Sequence, residues 1–465
     1  MTLSTRTLDL GARGRHRARA VFTALVLAAT VAACGGPGST GSVPSSSAPS
    51  GPASSVSPPG PAASQDPAPS VAPSPAASPD PAPSVAASPA ASQDPSAVLA
   101  TIASQTEAIR GLAPRAPIVP RFIDEAGMTK LLTADLDRQQ TAQQAADVET
   151  LLRGLGLFSG DRSLRDIYVE MLGSQVLGFY RNADKTLYVV ERSEALGPAE
   201  SAIERYTFSH ELTHALQDQH FGFGSLGLRD PGRGDRTLAR QALLEGDASY
   251  ASTLWSQQNL SLADLLAIVK VASDPAQRKL MADLPPILRE TMTFPYQDGM
   301  SFVLGLWTAG GWDAVNAAYA APPDSTEQVL HPAKYTAGEK PVQVALPAGL
   351  ADGLGPGWSL AMEDTLGEMQ LRVLLKTAND AAAAGVAASD WGGDRVGIYR
   401  GPDGAWAIVL ATAWDTPAAA ARFRPAIEKV AAGLPHARVV GGPQGPALVV
   451  GSDAAIVEKA ATLSL

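Results

Sequence analysis

The chain is 465 residues long, 45% hydrophobic, and carries a formal charge of -10. That length admits two or three domains, and an acidic chain of mixed charge argues against nucleic acid as its main partner. Its one cysteine, Cys34, excludes an intramolecular disulfide framework. Residues 1–33 read as a secretory leader. Arg6, Arg13, Arg15, Arg17 and Arg19 precede "AVFTALVLAATVAA", an uncharged, mostly apolar run too short to cross a bilayer comfortably.

The small residues of "VAAC" place Cys34 at the cleavage point. This resembles the lipobox of bacterial lipoproteins, which implies that Cys34 is lipidated and becomes the first residue of the mature chain. Membrane attachment would then come from lipid, and the protein would be extracytoplasmic, anchored to the cell membrane, with secretion as the alternative. Residues 34–97 follow as a tether. They are almost entirely Pro, Ala, Ser and Gly, and "AASQDPAPSVAPSP" and "AASPDPAPSVAASP" repeat with a period of 14. Such a stretch buries too little apolar surface to offset the entropy of ordering it, so a disordered, semi-extended spacer is expected.

The folded part is expected to be α+β: a mostly helical domain with a small sheet over 98–345, then a smaller α+β domain over 357–465. "SAVLATIASQTEAIRGL" and "MTKLLTADLDRQQTAQQAADVETLLRGLGL" have the apolar spacing of helices. "SLRDIYVEMLGSQVLGFY" begins as a helix and passes into a hairpin made of "VLGFY", the turn "RNADK" and "TLYVV". A long helix covers "GPAESAIERYTFSHELTHALQDQHF", with Pro198 near its start and Gly222 and Gly224 at its end. Another covers "DRTLARQALLEGDASYASTLWSQQ", and helical pattern continues to about Ala321 with breaks at "LPP" and "FPYQDG". Composition shifts near "PVQVALPAGLADGLGPG". Beyond it come a helix over "EDTLGEMQLRVLLKTA", a hairpin around "GPDG", a helix, a second hairpin ("ARVVGG", "ALVVGS") and a last helix.

The chemistry concentrates in "YTFSHELTHALQDQHF", where His210 and His214 stand four apart and Glu211 follows the first. Residues i and i+4 share a helix face, so both imidazoles can offer a nitrogen to one ion. Glu211 is rotated by ~100° from His210, beside the ion rather than on it, which suits a general base acting on water. Chance matches to this pattern number roughly 0.004 for such a chain, so the plainer alternative is a structural helix with surface histidines.

A zinc hydrolase usually takes a third protein ligand. His220 would serve only if the helix broke at position 217, where Gln217 stands; on a continuous helix it points ~240° away from His214. Glu245, in "QALLEGDASYA", is the stronger candidate, because a carboxylate among Ala and Leu is costly unless paired or ligating. Gly246, Ala248 and Ala251 keep its surroundings small enough for two helices to approach. Asp247 is the rival: either carboxylate can ligate while the other orients a histidine.

"HELTHALQDQHF" followed by "LLEGDA" resembles the gluzincin branch of zinc metallopeptidases. The likeness covers roughly residues 165 to 260. It implies zinc held by His210, His214 and Glu245, Glu211 as the base, and an edge strand before the helix, here "TLYVV", that pairs with extended peptide. Many members carry an acid four residues after the third ligand, where this chain has Ser249. The family also implies a donor for the developing oxyanion. His331 in "DSTEQVLHPAKY" and Tyr296 in "FPYQDG" are the candidates, both beside turn-forming prolines, and the sequence does not choose between them.

The expected function is a membrane-anchored zinc metallopeptidase acting on envelope or extracellular proteins and peptides. Two alternatives stand beside it: a non-catalytic envelope scaffold on a metallopeptidase fold, and a zinc hydrolase of a non-peptide envelope amide. An intact Glu211 counts against the scaffold, which has no use for a base.

Overall fold

The computed structural model describes residues 95–139, 141–175, 178–190 and 198–464. The expected leader, Cys34 and residues 35–94 of the expected tether lie outside them. The described chain is α+β, a mostly helical layer with a three-stranded sheet followed by a five-stranded sheet with its own helices.

Helix α1 (Pro95–Arg110) leads through the short strand β1 (Arg121–Ile123) to α2 (Glu125–Gln139), α3 (Ala142–Gly154) and α4 (Leu164–Gln175). The periodic stretch after Met128 is therefore two helices, not one. Thr141 starts the second: its hydroxyl accepts from the Gln144 N–H while the Gln144 side chain accepts from the Thr141 N–H. The hairpin is β2 (Gly178–Arg181) and β3 (Thr186–Val190). β3 pairs antiparallel with β2 and parallel with β1, so the order is β1–β3–β2. "TLYVV" is thus the central strand rather than an edge. Three residues of β1, too few to show alternation, cover the side that was expected to be open.

Two long helices follow, α5 (Pro198–Phe221) and α6 (Gly234–Asn259), then α7 (Leu262–Ala272), α8 (Pro275–Ala282) and α9 (Pro286–Ala320). α6 and α9 touch backbone to backbone. A Cβ on Gly246 would stand 2.2 Å from the Gly299 carbonyl oxygen, and one on Gly299 2.2 Å from that of Ala242. The small residues around Glu245 serve this approach. α9 also runs straight through "FPYQDG", which is not a turn; Pro295 is buried within the helix and forfeits one backbone hydrogen bond. The break comes at Gly310–Gly311, where Gly311 takes φ 63°.

The remaining elements are α10 (Thr326–Leu330), α11 (Pro332–Ala337), α12 (Leu350–Leu354), β4 (Ser359–Asp364), α13 (Gly367–Leu375), α14 (Ala381–Ala388), β5 (Trp391–Arg400), β6 (Trp406–Trp414), α15 (Pro417–Ala432), β7 (Ala437–Gly441), β8 (Pro446–Gly451) and α16 (Ala454–Leu463). The sheet is antiparallel in the order β4–β5–β6–β8–β7. Along β6 and β8 the side chains alternate between two cores. Ile408, Leu410, Leu448 and Val450 join the core of the helical layer, whereas Ala407, Val409, Ala447 and Val449 pack with α12 and α16. One continuous core therefore runs from Ile102 on α1 to Val450 on β8.

Residues 325–335 fasten these parts together. Thr326 N–H donates to Asp235 on α6 at 3.0 Å, and its hydroxyl accepts from the Met369 N–H on α13. Lys334 pairs with Glu327, Glu339 and Asp415. His331 Nε2 lies 3.0 Å from the Glu368 carboxylate on α13.

Candidate metal centre

The i, i+4 spacing on α5 stacks His210 and His214 on the face turned toward α6, and Glu245 meets them from there. His210 Nε2 and His214 Nε2 are 3.1 Å apart, and each is 3.2 Å from Glu245 Oε2. A tetrahedral ion with ligand bonds of about 2.0–2.1 Å has ligand–ligand edges of about 3.3–3.4 Å. The observed triangle is close to that, so the three residues can hold a metal ion. Both histidines are buried, and the Glu245 side chain is 21% exposed.

The electrostatics favour positive charge where the three donors meet. Burial opposes charging His214, but the Glu245 and Glu211 carboxylates outweigh it and push His214 up to about 9. Burial likewise opposes ionising Glu245, yet the two histidines hold it far below the usual carboxylate range. Among the described residues the other convergence of acids, Glu327, Glu339 and Asp415, already surrounds the Lys334 ammonium.

Glu211 is not part of the triangle. Its Oε2 accepts the Tyr180 N–H of β2 at 2.7 Å, so the edge strand fixes the carboxylate beside the histidines. Burial pushes its pKa up, against the pull of His214 and His210. Tyr296 reaches the same place: its ring stacks on that of His210 with centroids 6.0 Å apart, and its hydroxyl bonds to Glu245. His331, the other oxyanion candidate, is instead taken up by Glu368 in the fastening segment.

The other sequence candidates separate cleanly. α5 continues past Gln217, and His220 Nε2 lies against the Ala113 carbonyl at 2.7 Å, outside the cluster. Asp247 does not ligate. It is fully buried and accepts Arg110 Nε at 2.7 Å, Arg110 Nη2 at 3.0 Å, the Tyr319 hydroxyl at 2.7 Å and Gln217 Nε2 at 2.9 Å. Arg110 and Tyr319 are thus supporting residues that sequence reasoning missed. Arg110 had a signal: Ile102, Thr106 and Arg110 fall four apart on the buried face of α1, and a charge in that register needs a partner.

Residues 359–462 match a family model described as "Domain of unknown function (DUF8575)". The match spans the five-stranded sheet and the helices from α13 onward, and the residues that could hold a metal lie outside it. No curated protein and no solved structure matches the chain.

Proposed function

We propose that the chain is a zinc-dependent metallopeptidase that hydrolyses peptide bonds of envelope or extracellular proteins, held at the extracytoplasmic face of the membrane by lipid on Cys34. The observation that supports this is the convergence of His210, His214 and Glu245 on one point, with Glu211 anchored beside it. Two imidazoles and a carboxylate form a donor set suited to zinc, with room left for water. Bound there, zinc would supply Lewis acidity, making water easier to deprotonate and stabilising negative charge on oxygen. Glu211 takes the proton of the attacking water and passes it to the leaving nitrogen. The Tyr180 N–H holds one oxygen of that carboxylate and leaves the other for proton transfer. Tyr296, adjacent to His210 and Glu245, is the donor assigned to the developing oxyanion.

The ligand set is tested by comparing zinc content after dialysis in two variants. Glu245→Gln is expected to lose most of its zinc and His220→Ala to keep about one ion per chain. The reverse pattern would move the third ligand to His220. The anchor is tested by Cys34→Ala, which is expected to shift the protein from the membrane to the soluble fraction or to stop its processing. A processed protein that stays on the membrane would overturn the lipid reading.

A further inference from the structure

Gln217 stands where a helix-breaking glycine would be needed to recruit His220, and it is fully buried one turn beyond His214. Its amide has two hydrogens, and α6 takes both: Nε2 donates to the Leu244 carbonyl at 3.0 Å and to Asp247 Oδ2 at 2.9 Å. The amide oxygen is thereby aimed at His214 Nδ1, 2.8 Å away. A flipped amide would place its NH2 against the imidazole and lose both bonds to α6. Behind Gln217, Asp247 is pinned by Arg110, which also bonds Asn316 at 2.8 Å and lies over the Trp312 ring at 4.4 Å.

We infer that Gln217 is a positioning residue for the metal centre. Its oxygen accepts the proton of His214 Nδ1, so the nitrogen left to give up its proton to a metal is Nε2, which faces the point where His210 Nε2 and Glu245 Oε2 also converge. An imidazole can turn or change which nitrogen carries its proton, and an acceptor at Nδ1 removes both freedoms. Asp247, which the sequence offered as a ligand or as a direct partner of a histidine, acts one step further out by fixing the amide. This inference rests on the metal reading above.

Zinc affinity by chelator competition tests it, together with proton NMR of the zinc-loaded protein. The wild type is expected to bind zinc and to show a slowly exchanging Nδ1–H signal from His214. Gln217→Met keeps the shape but has no acceptor; its zinc affinity should fall about 10–100-fold and that signal should exchange rapidly. Gln217→Glu keeps an acceptor for Nδ1 but loses the amide NH2 that bonds α6 and sets a carboxyl against Asp247, so it should hold zinc more tightly than Gln217→Met even where its melting temperature falls further. The inference is overturned if Gln217→Met matches the wild type in affinity and exchange, or if both variants lose zinc in step with stability. Absence of a protected Nδ1–H in the zinc-loaded wild type overturns it without any variant. A wild type that binds no zinc would overturn the metal reading and this inference with it.

Discussion

Glu211→Gln is expected to fold, to keep about one zinc per chain, and to lose peptide hydrolysis by at least ~10³-fold. The glutamine side chain has nearly the same size and retains an oxygen that can accept the Tyr180 N–H, so the strand should still dock on α5. What disappears is a group able to take a proton from water and return it to the leaving nitrogen. Each of those roles typically contributes 10²–10⁴-fold. The measurement pairs metal content with cleavage of a mixed peptide library by the wild type and the variant. Equal cleavage by both would move the base elsewhere. No cleavage by either, with zinc present, would favour the scaffold or a non-peptide amide as substrate.

Asp247→Ala is expected to be the most damaging single change to stability among the residues around the centre. The pair it breaks is wholly buried on both sides, and its loss strands the Arg110 charge away from water. Leaving one partner of such a pair uncompensated costs about 3–5 kcal/mol, a large part of the stability of an ordinary domain. Removing both charges, Arg110→Met with Asp247→Leu, is expected to recover much of that, since no charge is then buried alone. Zinc binding should stay below that of the wild type in the double variant, because the Gln217 amide has lost one of its two acceptors on α6. Urea midpoints and zinc content measured on both proteins check this. An Asp247→Ala midpoint within the error of the wild type would show that water reaches Arg110.

The residues of the candidate metal cluster were legible because helix periodicity and local composition place them. Four-residue spacing puts His210 and His214 on one face, and a carboxylate among small apolar residues had to face something polar. The fold class followed from the same periodicities. What escaped depends on contacts between segments far apart in the chain. "FPYQDG" carries the local marks of a turn, yet packing of α9 on α6 at Gly246 and Gly299 carries the helix through it and delivers Tyr296 to the cluster. β1 is too short to show alternation, so nothing local contradicted the edge position that the gluzincin resemblance implied for "TLYVV". β4 lies at the border of its sheet with mostly exposed side chains, so "SLAMED" has no pattern to betray it. His331 drew attention as a histidine near prolines, and only the fold shows that Glu368 claims it.

The core that runs from α1 into the five-stranded sheet bears on how such a protein can be rearranged by recombination. Arg110 closes the helix that begins where the tether ends, so a fragment starting after it would leave Asp247 with no counterion. A fragment ending before β4 would uncover the apolar side chains that Ile408, Leu410 and Val450 now cover. Residues 359–462 cannot be traded freely, because one face of that module packs into the core shared with the helices that carry the candidate metal ligands.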